Sequence, residues 1–106
     1  MKTLAITALS ASGRAFDIEF PLHPQTRSED GVSRLVTRML DTLSLTLAER
    51  KDISDGDVLQ SLAMTLAIRA RMLNGNPDTL KTLIDELLRN AMSAAQSSNP
   101  YLASRG

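Results

Sequence analysis

The chain of 106 residues contains one histidine, His23, and no cysteine. Thiolate nucleophiles, Cys-ligated metals, multi-histidine metal sites and a disulfide framework are therefore excluded. His23 stands beside Pro24 in a polar stretch with Gln25, Thr26 and Arg27. To act as a general base it needs an orienting carboxylate and a nucleophile. With 12 Asp and Glu in so short a chain, one of them lies near it by chance alone, so His23 reads as a solvated loop residue. There is no G-x-x-x-x-G-K-[ST] and no G-x-G-x-x-G, so a phosphate cradle has no candidate loop. Counting leaves a Ser-His-Asp site open, but there is no G-x-S-x-G elbow and Ser12-Gly13 reads as turn chemistry. The pairs Glu29-Asp30 and Asp85-Glu86 diverge by about 100° on a helix and cannot act as a dyad. Asp52, Asp55 and Asp57 suggest a calcium loop. Setting Gly56 at the sixth position, however, puts Lys51, Ile53 and Leu62 where oxygen ligands are needed. The composition predicts no enzyme, no metal and no cofactor.

Nucleic acid is the alternative partner. Nine of the twelve basic residues are Arg, the side chain best suited to phosphate and guanine. Arg34 and Arg38 are one turn apart on a predicted first helix, Arg50 and Lys51 follow it, and Arg69 and Arg71 lie on a second. Together they could form a patch on a chain of zero formal net charge. Against this, the aromatics are only Phe16, Phe20 and Tyr101, and both Phe belong to a predicted strand. No stacking platform remains for single strands or RNA. Asp41, Glu49 and Asp52 also stand among these basic groups, which favours surface ion pairs.

The elements that position these residues are well marked. Leu4, Ile6 and Ala8 alternate with Thr3, Ala5 and Thr7, and Phe16, Ile18, Phe20 and Leu22 alternate with Asp17 and Glu19. Both runs have strand periodicity. Gly13, in the loop between them, can take a positive φ. Pairing Ala8 with Phe16, Ile6 with Ile18 and Leu4 with Phe20 puts six apolar side chains on one face. Met1–Ser12 also invites comparison with a signal peptide, but its apolar stretch is shorter than the roughly 7–15 residues required. A strand is the better reading.

Three helices follow. In the first, about 30–49, Val32, Leu35, Val36, Met39, Leu40, Leu43 and Leu47 form one stripe. Its last third, where Leu43, Leu45 and Leu47 alternate with polar residues, has strand character as well. Ser54-Asp55-Gly56-Asp57 is a capping box for the second helix, and Leu73-Asn74-Gly75 predicts its end with Gly75 in the left-handed C′ position. Asn76 caps the third helix with Pro77 at its first position, and Leu80, Leu83, Ile84, Leu87, Leu88, Ala91 and Ala95 share its apolar face. So short a link predicts that the second and third helices are antiparallel neighbours.

The second helix differs in kind. Leu59, Leu62, Ala63, Leu66, Ala70 and Leu73 fall on one side, and Met64, Ile68 and Met72 on nearly the opposite side. A helix apolar on two sides has to be covered on two sides. The predicted fold is α+β, an N-terminal two-stranded antiparallel hairpin packed on a three-helix unit with the second helix central. Its leucine side meets the other helices, and its methionine side meets the hairpin or a second subunit. Residues 1–96 form this domain and 97–106 a flexible tail. No run reaches the roughly 18 apolar residues of a membrane span. These features predict a small cytoplasmic interaction or regulatory protein. It works as a homodimer, by helix faces or by paired hairpin edges, with Met64, Ile68 and Met72 as its contact residues.

Overall fold

A computed structural model describes residues 2–10 and 12–102. Met1, Ala11 and residues 103–106 of the expected tail lie outside the described residues. The element order is β1 (Thr3–Leu9), β2 (Arg14–Pro21), α1 (Glu29–Glu49), α2 (Asp55–Arg71), α3 (Pro77–Ser97) and β3 (Tyr101–Leu102). The class is α+β: an antiparallel sheet of order β1-β2-β3 and three helices.

The hairpin register follows from apolar parity. Leu4 stands opposite Phe20, Ile6 opposite Ile18 and Ala8 opposite Phe16, so each apolar residue meets another across the ladder. The loop closes with the Gly13 N–H donating to the Ser10 carbonyl at 3.0 Å. Gly13 has a φ of 85°, the left-handed position of a three-residue hairpin loop.

Each helix starts where a side chain can take up free amide groups. Ser28 Oγ accepts from the Gly31 N–H at 2.9 Å, a cap for α1 one turn ahead of its apolar stripe. A Cβ at Gly31 would lie 2.8 Å from that oxygen. Ser54 Oγ accepts from the Asp57 N–H at 3.1 Å, and the Ser54 N–H donates to Asp57 Oδ2 at 3.0 Å, a complete capping box. Asn76 Oδ1 accepts from the Asp78 and Thr79 amides, with Pro77 opening α3. The alternating end of α1 is helical through Glu49; the three-and-four spacing prevails there over the period of two.

Two expectations are corrected here. Gly75 is not left-handed: among the described residues Gly13 is the one glycine with positive φ. Helix α2 stops at Arg71. Met72 caps it in a right-handed conformation, its N–H shared between the carbonyls of Ile68 and Ala70, and the Leu73 N–H donates to Ala70. The last turn tightens early, which removes the need for a left-handed residue further on. The expected tail, moreover, contains a strand. Tyr101 and Leu102 pair with Ala15 and Arg14, and the side chain of Ala15, 5% exposed, is the one buried apolar group among the described residues.

Contacts divide the chain into two units. One comprises the hairpin through Ser33 together with the chain from Thr82 onward; the other is Arg34–Lys81. In neither unit does a helix bury a residue. Within its own unit α2 does not have the expected enclosure: α1 and α2 do not pack along each other, and Leu59, Leu62, Leu66 and Leu73 are exposed. Among the described residues no helix is long and apolar enough to cross a membrane.

The glycine assignment is directly testable. Gly13→Ala has open space around the new methyl, so its cost is backbone strain alone, about 1 kcal/mol. Gly75→Ala meets Leu80 Cδ1 at an ordinary 3.7 Å and is expected to change stability by less than about 0.5 kcal/mol. Urea unfolding followed by circular dichroism at fixed protein concentration measures both; a Gly75→Ala cost as large as that of Gly13→Ala would contradict the backbone assignment.

Candidate functional site

Three groups of residues merit comparison: the surroundings of His23, the basic residues, and the second apolar side of α2.

His23 follows β2 and lines a concavity of about 550 Å³ together with Lys2, Leu22, Thr26, Glu29 and Glu86. The location contains the residue types of a hydrolytic site, but its hydrogen bonding does not. The Gln25 backbone N–H donates to His23 Nδ1 at 3.1 Å. An imidazole accepting at Nδ1 carries its proton on Nε2, the reverse of the tautomer that a triad histidine uses as base. No hydroxyl or carboxylate among the described residues is hydrogen-bonded to the ring. Glu29 is paired with Lys2 at 3.5 Å, and the Thr26 N–H donates to the His23 carbonyl at 2.9 Å in the loop's own turn. Among the described residues no group of three or more His, Asp or Glu could hold a metal ion.

All six residues of the predicted basic patch lie in the unit Arg34–Lys81. Arg34 and Arg38 occupy the first half of α1, and Arg69 and Arg71 the last turn of α2. Fourteen residues of helix separate Asp55 from Arg69, about 21 Å, so Arg50 and Lys51 at one end of α2 cannot join Arg69 and Arg71 at the other. Arg34 and Arg38 would reach the α2 pair only if the two helices lay side by side, which they do not. Arg50 is moreover engaged by Asp52, with Nε donating to Oδ1 at 3.0 Å and Nη2 to Oδ2. This bidentate pair raises the Arg50 pKa and lowers that of Asp52. Arg69 Nη1 lies 3.4 Å from Met72 Sδ. The structure thus distributes the basic groups rather than gathering them.

On α2, Met64, Ile68 and Met72 are 55%, 57% and 63% exposed. They lie at four-residue spacing on one side of a helix whose leucines are open as well, Leu59 and Leu62 among them. Arg69 stands beside them, against Met72. Such a surface can bury area against another apolar surface.

A polar cluster escaped the sequence reading. On the sheet face opposite the six apolar side chains, Thr7 Oγ1 donates to Asp17 Oδ1 at 2.7 Å, and the Tyr101 hydroxyl donates to Asp17 Oδ2 at 2.9 Å. Thr7 and Asp17 are register partners, so that half was available from the pairing. Tyr101 arrives from 84 residues away, and no local pattern announces it. Its hydrogen bond to Asp17 raises the phenol pKa, with desolvation and the carboxylate's charge adding to the same direction.

Compared with protein-family models, curated proteins and solved structures, the chain matches none of them.

The docking of β3 has a clean readout, since Tyr101 is the sole tyrosine and the chain has no tryptophan. A raised acid favours the protonated form in the folded state. The stabilisation is thus fully present below the unfolded phenol's pKa, about 10, and is lost as pH rises through the higher folded value. Absorbance titration is expected to place the Tyr101 midpoint above the ordinary one, and Asp17→Asn to move it back down. An ordinary midpoint in the unaltered protein, unchanged by Asp17→Asn, would show that β3 does not dock.

Proposed function

We propose that this chain is a small non-catalytic interaction protein that works as a homodimer, with the apolar surface of its helices as the contact. The observation that carries the reading is α2: apolar on two sides, yet without one buried residue. The other helices add to it, since Leu35, Met39 and Leu40 of α1 and Leu87 and Leu88 of α3 are also exposed.

Both apolar sides of α2 are exposed, and a second copy offers each of them an apolar surface of the same kind in a self-complementary contact. Zero formal net charge sets no electrostatic barrier between two copies. Covering a half-exposed Met or Ile gains roughly 1 kcal/mol, so even the three residues Met64, Ile68 and Met72, counted on both subunits, supply a substantial part of a stable association. The tautomer of His23 and the distributed arginines support this reading over catalysis and over nucleic-acid binding.

Light scattering on a size-exclusion column is expected to give twice the 11.5 kDa chain mass. Ile68→Glu puts an unpaired charge on the buried side. It is expected to weaken dimerisation on the order of a hundredfold, about 2.8 kcal/mol. A well-folded monomer at every accessible concentration would refute the proposal.

A further inference from the structure

The sheet has two free edges, and they differ in a way that points to a use for one of them. In the hairpin, the Leu22 N–H donates to the Lys2 carbonyl at 2.9 Å and the Ser10 N–H to the Arg14 carbonyl at 2.8 Å. Hydrogen-bonded pairs alternate along an antiparallel ladder. Leu4, Ile6 and Ala8 therefore direct their backbone groups to β2, and Thr3, Ala5, Thr7 and Leu9 direct theirs outward. That leaves four N–H and four C=O groups along the outer edge of β1, one of each per residue, and no strand among the described residues pairs with them.

By the same alternation, the outward positions of β2 beyond Ala15 are Asp17, Glu19 and Pro21. Two carboxylates and a residue without an N–H blunt that edge against strand addition. The edge of β1 has no such protection. Its sequence, Thr-Leu-Ala-Ile-Thr-Ala-Leu, has no charge, no proline and no glycine. An unblunted, uncharged edge of seven residues is an aggregation hazard unless it is occupied.

We infer that the outer edge of β1 pairs antiparallel with β1 of a second copy, about a two-fold axis at Ile6. The inference rests on the homodimer proposed above and specifies how its two sheets join. Register follows from satisfying the outward groups. A two-fold at Ala5 leaves Leu9 without a partner, and one at Thr7 leaves Thr3 without one. An axis between residues sets outward positions against inward ones and reverses the faces. Centred on Ile6, the pairing sets Thr3 against the partner's Leu9 and Ala5 against the partner's Thr7, with the reciprocal pairs, and every outward group is bonded. Leu4 then faces the partner's Ala8 and Ile6 the partner's Ile6, so the apolar face of one sheet continues into the other. A closed, isologous contact of this kind leaves no further β1 edge for a third chain.

The chain's lack of cysteine makes the register readable. The two copies of residue 6 form a non-hydrogen-bonded pair, with Cα atoms about 4.5 Å apart, inside the range of a disulfide. The two copies of residue 7 are diagonal neighbours about 7–8 Å apart, outside it. Mild oxidation is expected to convert Ile6→Cys to a covalent dimer and to leave Thr7→Cys uncrosslinked on a non-reducing gel. Ala5→Pro removes an outward N–H and no hairpin bond. It is expected to weaken the dimer by between about tenfold and a hundredfold with the circular dichroism spectrum retained. A monomer by light scattering would remove the homodimer reading and this inference with it. A dimer that is indifferent to Ala5→Pro, or that crosslinks as well through Thr7→Cys as through Ile6→Cys, would overturn the edge pairing alone and leave the helix contact standing. If Ile6→Cys does not fold, the response to Ala5→Pro decides.

Discussion

Apolar surface has to be taken out of water by something, and the helices of this chain bury no residue of their own. The consequence is severe for α2, because a helix with one apolar side can rest on a neighbour while a helix with two needs neighbours in two directions. A domain of this size has only a few kcal/mol of net stability to draw on. Leaving both apolar sides of α2 in water draws on that small margin. In the homodimer proposed above, association would carry the folding of this chain as well as its function, because a partner that binds only the folded state stabilises it.

What is locally encoded forms regardless of that demand. The capping box at Ser54 and Asp57, the Asn76-Pro77 start and the parity of Leu4, Ile6 and Ala8 against Phe16, Ile18 and Phe20 each involve residues at most a hairpin apart, and all three features were legible in the sequence. So was the loop glycine, Gly13. The end of α2 was not, because the sharing of the Met72 N–H between two carbonyls is a backbone choice that no side chain dictates, and Gly75 was an attractive but unused alternative. The pairing of Tyr101 with Ala15 was invisible for a different reason. Two residues in a polar tail carry no periodicity, and their partner lies across most of the chain. The candidate contact residues, Met64, Ile68 and Met72, were legible as an apolar side of α2 from spacing alone. What covers that side was not, since a pattern states that a surface is apolar and says nothing about what lies against it.

The polar residues are consistent with a molecule defined by its surfaces. Arg50 is occupied by Asp52, Lys2 by Glu29 and Tyr101 by Asp17. Each of these pairs is solvent-exposed, and exposed pairs of this kind contribute little to stability. Their effect is on specificity of placement: Asp17 holds the Tyr101 hydroxyl and with it β3 beside β2. His23 accepts from the amide of Gln25 in the same way, within a turn.

The two contacts proposed for the dimer would divide the work between energy and register. Apolar helix sides supply most of the free energy, but dispersion and hydration are nearly blind to a slip of a few ångströms along smooth Leu and Met surfaces. Backbone hydrogen bonds contribute little net energy each and are intolerant of a slip by one residue. In the pairing proposed for β1, one two-fold position would satisfy all the outward groups and so set the register between the two sheets. That division also accounts for where charge is absent. Among the described residues no strand pairs with the outward positions Asp17 and Glu19 of β2, whereas in the proposed pairing a carboxylate at Ala5 or Thr7 would have its own copy as a diagonal neighbour about 7–8 Å away and add like charges beside the two-fold.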